Sequence, residues 1–265
     1  MPSEILSVVN DLTFIYAKRL RHAATERLAH ALRGKLVTYF QEEGDRVSAR
    51  IRRVWPIKTE SLSYDVNQIL RHVFDVDEES VYLEELLIPL NETAGRYGQK
   101  EALRQLSLRL AKKVIYRGSA AWIRDNAIRF GEKYAREISK HTNELIRDQI
   151  ARGIENGEGV TDVVNRIEVI TRRQIEDYRA EIVARTEMGR AYNMSKLIQE
   201  RVLGLEDYDW GGCDPGCLIC GPFMGSNPHT AEEIENFVTG ESHPNCAGDE
   251  VPRVPADFVP NALAV

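Results

Sequence analysis

The chain has 265 residues, with 35 basic and 41 acidic side chains and a formal charge of −6; it is 43% hydrophobic and 29% charged. That apolar share excludes a disordered chain and suffices for a buried core in one or two domains. The longest stretch without charged side chains, residues 215–231, carries three prolines and three glycines and does not read as a membrane span. Glu4 and Asp11 interrupt any apolar segment at the start and no basic residue precedes it, so an export signal is not expected.

Composition divides the chain near Leu205. Residues 206–265 hold one basic side chain, Arg253, and eleven acidic ones; residues 1–205 hold 34 basic and 30 acidic. All four cysteines and seven of the ten prolines also follow position 206. A long helix-forming chain is joined to a short, acidic, loop-rich tail. The expected fold class is mainly α: long helices forming an extended helical bundle, with a small C-terminal zinc-knuckle-like module carrying short strands. The expected domains are an N-terminal helical arm (1–116), a helical core (117–205) and a metal-stabilised module (206–265).

No proline lies between Pro2 and Pro56, and Ile5, Val9, Leu12, Tyr16, Leu20, Leu28, Leu32, Leu36, Phe40 and Val47 follow one helical face. Ser3 is a plausible N-cap; Gly34 or Gly44 is expected to break or bend the run. Fifty helical residues would reach ~75 Å, too long to bury themselves, so this arm should pack on later helices or another subunit. Short helices are expected over 65–74 and 77–88, the second stopped by Pro89. Longer ones are expected over 99–116 and 120–152. Gly153, Gly157 and Gly159 make a turn. Thr161 is expected to cap a short helix buried by Val163, Val164, Ile167 and Ile170. A final helix over 172–203 leads into the tail. No strand-length alternation precedes residue 206.

Cys213, Cys217, Cys220, His243 and Cys246 fall within 34 residues. A CxxC pair curls into a knuckle that aims two sulfurs at one ion, and a second pair at i and i+3 completes a tetrahedron. Thiolates and imidazole suit zinc. The assigned ligands are Cys217, Cys220, His243 and Cys246; Cys213 is the alternative, replacing His243 in an all-cysteine site. Such a cross-link would stabilise a tail with too few apolar residues to fold alone. The bland readings are ordinary free thiols, or disulfides with three possible connectivities, which the lack of an export signal disfavours. A redox CxxC lacks a βαβ context.

Within the last helix, Arg185, Thr186, Glu187, Gly189 and Asn193 read as structural. Ala184, Thr186, Gly189 and Ala191 are small enough to admit a close neighbour. Asn193 can reach a loop backbone there, and Glu187 can pair with Arg190. A lone glutamate without a second acid is weak evidence for chemistry. Trp210 reads as a plug where the tail docks. Basic residues cluster at Lys18, Arg19 and Arg21, at Arg46, Arg50, Arg52 and Arg53, and at Arg109, Lys112, Lys113 and Arg117. Arg46, Arg50, Arg53, Arg109, Lys112, Lys113 and Arg117 are the candidate contacts to DNA or a partner; the bland reading is a solvated helix face.

The order Ala184-Arg185-Thr186-Glu187, Asn193, Trp210, Cys217-Leu218-Ile219-Cys220 and His243-Pro244-Asn245-Cys246 resembles the phage head-morphogenesis, or Mu F-like, minor head protein family. The resemblance covers roughly residues 120–251. Relatives commonly continue with Arg-Cys where this chain has Ala247-Gly248, so one possible ligand of the family is missing. The resemblance implies a structural minor capsid protein and no enzyme. It would sit inside the virion near the portal, after assembly in the host cytoplasm, and support head assembly, DNA packaging or ejection. Implied partners are the portal, a major capsid or scaffold protein and non-specific duplex DNA, with no membrane. The alternatives are a zinc-stabilised nuclease and a DNA-binding accessory protein.

Overall fold

The computed structural model describes residues 3–55, 66–110, 121–170, 179–244, 246–255 and 257–260, excepting the side chains of 3–22, 24, 122 and 170. The described chain is mainly helical, with a small antiparallel sheet near its end. Among the described residues no helix is long and apolar enough to cross a membrane. Two compact units form. The first comprises residues 1–29, 89–127 and 185–265; the second comprises 30–88 and 128–184. Both are discontinuous in sequence, and position 205 falls inside the first.

In the second unit, α1 (Ser3–Val54) supplies Leu32, Leu36, Phe40, Val47 and Ile51, all fully buried. The helix runs through Gly34 and Gly44 without a break. Gly34 is exposed and costs about 1 kcal/mol of helix propensity, less than burying one of the flanking leucines contributes. Val47 and Ile51 pack with Ile69, Leu70 and Val73 of α2 (Val66–Val73), Ile146 and Ile150 of α4 (Ala121–Glu155), and Val163, Val164 and Ile167 of α5 (Val160–Ile170). This part of the arm therefore buries itself on later helices. The Asp75 carboxylate accepts from the backbone N–H groups of Asp77 and Glu78 at 2.9 and 3.2 Å, capping α3 (Val76–Arg109). Pro89 does not stop α3, contrary to expectation. Its ring lies exposed, and the helix is held by buried residues on either side, Leu83 and Leu87 before it and Ala94 after it. Gly157, at φ 64°, makes the turn between α4 and α5. The helix α5 starts at Val160, so Thr161 lies inside its first turn and not at the cap.

In the first unit, α3 crosses α6 (Ala180–Val202) with no room for a side chain at the contact. A Cβ at Gly98 would stand 2.2 Å from the Tyr192 carbonyl oxygen, and one at Gly95 2.6 Å from Ser195 Oγ. Beyond α6 come β1 (Asp207–Gly211), α7 (Cys220–Gly225), β2 (His229–Thr230), α8 (Ala231–Asn236), one π-helical turn (Phe237–Glu241) and β3 (Asp249–Pro252). The sheet order is β2-β1-β3, antiparallel throughout. In β1, Tyr208 and Trp210 point inward, as period two requires. The register pairs Tyr208 with Pro252 and Gly211 with Asp249.

Candidate metal centre

Three loops bring the cysteines together. The CxxC turn opens α7, and the backbone N–H of Cys220 donates to Cys217 Sγ at 3.4 Å. The Cys246 loop makes a second such contact, Gly248 N–H to Cys246 Sγ at 3.4 Å. Cys213 follows β1. Its Sγ lies 3.6 Å from Cys246 Sγ, and Cys220 Sγ lies 3.3 Å from the same sulfur. Sulfurs around one tetrahedral zinc sit about 3.8 Å apart. Cys213, Cys220 and Cys246 have their donor atoms within 4.8 Å of one another, as do Cys217, Cys220 and His243. These groups can hold a metal ion.

The thiols share charge unequally. The hydrogen bond with Cys213, the Gly248 N–H and the contact with Cys220 hold Cys246 down to about 5. Cys213 is pushed up chiefly by that bond to Cys246, and burial pushes Cys220 up to about 12. The N–H groups of Cys220 and Ile219 lower Cys217. His243 Nδ1 lies 2.8 Å from the Pro244 carbonyl, which can only accept, so Nδ1 carries the proton; this bond raises the imidazole's pKa.

The assigned ligands Cys217, Cys220, His243 and Cys246 are thus in one cluster, and so is Cys213. A small cleft of about 20 Å³, room for one water, opens beside it. Thr186, Gly189 and Asn193 of α6 form one wall, and Trp210, His243 and Gly248 another. Asn193 Nδ2 donates to the Gly248 carbonyl at 3.0 Å, the loop contact expected of it. Glu187 pairs with Arg190 at 3.3 Å and Arg185 with Glu26 at 3.2 Å. Trp210 is buried edge-on to Phe237, with ring centroids 5.2 Å apart; Phe223 stacks between Phe237 and His229.

The basic residues are largely committed elsewhere. Arg46 reaches Glu79 at 3.2 Å through Nε, and Arg50 reaches Glu78 at 3.0 Å. Arg109 is drawn inward to the Pro252 carbonyl. Of these three, none presents a free cationic stripe. Arg53 is exposed. Lys112, Lys113 and Arg117 lie outside the described residues.

Sequence reasoning missed the lock between α6 and β3. Lys196, fully buried, donates to Asp249 Oδ1 at 3.0 Å and to the Glu250 carbonyl, with Glu250 Oε1 at 3.7 Å. Glu200 is buried nearby, and neither of its oxygens has a hydrogen-bond partner among the described residues. Burial pushes Glu200 up to about 8 and Glu250 well above the usual carboxylate range. A lysine on a polar helix reads as surface, so no local signal marked it. Asn227 was also missed: it holds β1 by accepting from Trp210 N at 2.8 Å and donating to Trp210 O at 3.0 Å. Comparisons of the chain with family models, curated proteins and solved structures found no match.

Proposed function

We propose that the protein is a structural minor head protein of a tailed phage, whose C-terminal module is pinned by one zinc ion. The observation that carries this reading is convergence. The sequence pieces on which the resemblance rests, spread over residues 184–246, come together: Thr186, Asn193, Trp210, His243 and Cys246 line one cleft, and the CxxC knuckle meets Cys246 beside it. Asn193 bonds the loop that bears Cys246, Trp210 backs the same loop, and the CxxC knuckle faces it. Four thiols and an imidazole suit a soft-to-borderline d¹⁰ cation, and zinc in a closed site of this kind contributes folding free energy, not turnover.

The reading assigns Cys217, Cys220 and Cys246 to the metal, with His243 and Cys213 as the competing fourth donors. The lock of Lys196 on Asp249 and the bond of Asn193 to Gly248 seat the module on α6. A rigidly seated module suits a part that binds other subunits, here the portal and a scaffold or major capsid protein. No reaction is assigned. Non-specific duplex DNA would be met inside the capsid, but the ion pairs of Arg46 and Arg50 reduce what those residues offer to phosphate.

Co-expression with the portal followed by affinity capture tests the reading, beside mass spectrometry of purified particles. Capture with portal and presence inside particles are expected. A protein found only free in cells, never in particles, overturns it. Mg²⁺-dependent cleavage of plasmid DNA, abolished by His243→Ala with the fold intact, would replace it with the nuclease reading.

A further inference from the structure

Five donors compete for four positions, and the backbone around them decides among them. The pairing of β1 with β3 ends at Gly211 opposite Asp249. Continued by two residues, this antiparallel register carries Cys213 to the level of residue 247, between Cys246 and Gly248. Gly212 has φ 82°, a left-handed turn that redirects the chain immediately before Cys213. The sulfur then enters a space that only glycine leaves open. A Cβ at residue 248 would stand 2.5 Å from Cys213 Sγ and 2.3 Å from Trp210 Cζ2. The Cys213 sulfur occupies the place where a side chain at 248 would begin.

We infer that Cys213 is a primary metal ligand and that the site is all-sulfur, made by Cys213, Cys217, Cys220 and Cys246, with His243 outside the coordination sphere. This inference rests on the metal-pinned reading above and goes further, to the donor set. Three of the sulfurs already form one face: Cys246 lies 3.6 Å from Cys213 and 3.3 Å from Cys220, close to the edges of a zinc–thiolate tetrahedron. Cys217, on the same knuckle as Cys220, lies with Cys220 and His243 and completes the shell by turning its sulfur toward Cys213 and Cys246. Four thiolates around Zn²⁺ leave a net charge of −2, which needs N–H donors. Cys220 N–H on Cys217 and Gly248 N–H on Cys246 supply two. His243 Nδ1 is held by the Pro244 carbonyl at 2.8 Å, and a ring nitrogen lies within 4.8 Å of the Cys217 and Cys220 sulfurs, a neighbour of the knuckle outside the all-sulfur shell. Structural zinc is four-coordinate, so a fifth donor has no place.

X-ray absorption at the zinc edge on the full-length protein, reconstituted with one equivalent of Zn²⁺, tests this, with Co²⁺ absorption spectra as a second readout. Wild type is expected to show four sulfurs at about 2.3 Å and no nitrogen near 2.0 Å. His243→Asn is expected to keep the four-sulfur shell. Cys213→Ser is expected to show three sulfurs and one lighter atom, with the Co²⁺ bands moved to shorter wavelength. Where Cys213→Ser fails to fold, the wild-type and His243→Asn shells decide alone. A wild-type shell of three sulfurs and one nitrogen, with the nitrogen lost in His243→Asn, overturns the donor set and leaves the metal-pinned reading standing. Absence of bound metal overturns both.

Discussion

Replacing Lys196 by methionine removes one charge and keeps the approximate volume. The ammonium group is fully buried, 3.0 Å from Asp249 Oδ1, 3.7 Å from Glu250 Oε1 and bonded to the Glu250 carbonyl. Without it, Asp249 loses its buried cation and Glu200 and Glu250 lose the charge that offsets their burial. Removing one partner of a buried pair costs about 3–5 kcal/mol. Glu200 and Glu250 can take up protons, which limits the damage, so the lower end, about 3 kcal/mol, is expected. That corresponds to about a hundredfold in the opening equilibrium of the sheet. Amide hydrogen exchange along β1 and β3 reads it directly, without assuming that all 265 residues unfold in one step. Adding Asp249→Asn to Lys196→Met should recover part of the loss, because a neutral pair leaves no uncompensated charge. If β3 amides in Lys196→Met exchange within about threefold of wild type, the lock is not what seats the sheet on α6.

Four further outcomes follow from the geometry. Glu200, pushed up by burial to about 8, takes up a proton on folding; its contribution is complete below the unfolded value of about 4.3 and is lost as pH rises toward 8. Thermal melts of the metal-loaded protein between pH 6 and 8.5 should therefore show a smaller stability loss in Glu200→Gln than in wild type. Asn193→Ala removes the bond to the buried Gly248 carbonyl and should destabilise the module by about 1–3 kcal/mol, seen as faster exchange in residues 246–252. Gly34→Ala, with nothing within 4 Å of the new Cβ, should stabilise by about 0.5–1 kcal/mol, whereas Gly98→Ala, driven to 2.2 Å from the Tyr192 carbonyl, should lower the melting temperature sharply. Chelation of the metal proposed at the cysteine cluster should abolish the near-ultraviolet dichroism of the Trp210, Phe223 and Phe237 cluster while most helical signal persists; unchanged spectra in both regions would count against a structural metal.

Local patterns in the sequence carried much of this protein. The three-and-four spacing from Leu32 to Val47, the break in composition near Leu205 and the cysteine spacing are properties of neighbouring residues. Helix periodicity and metal knuckles are local physics. The bond from Asn193 to a loop was legible for the same reason, because small residues on either side of an amide side chain announce a close contact. Pro89 shows where such reading stops: its local penalty is real, yet burial of Leu83, Leu87 and Ala94 outweighs it. The choice among five metal donors, the burial of Lys196 and the inward turn of Arg109 depend on partners 33, 53 and 143 residues away. Only the folded chain sets those distances, because the free energy that places a charge inside comes from acids and carbonyls that the local sequence does not contain.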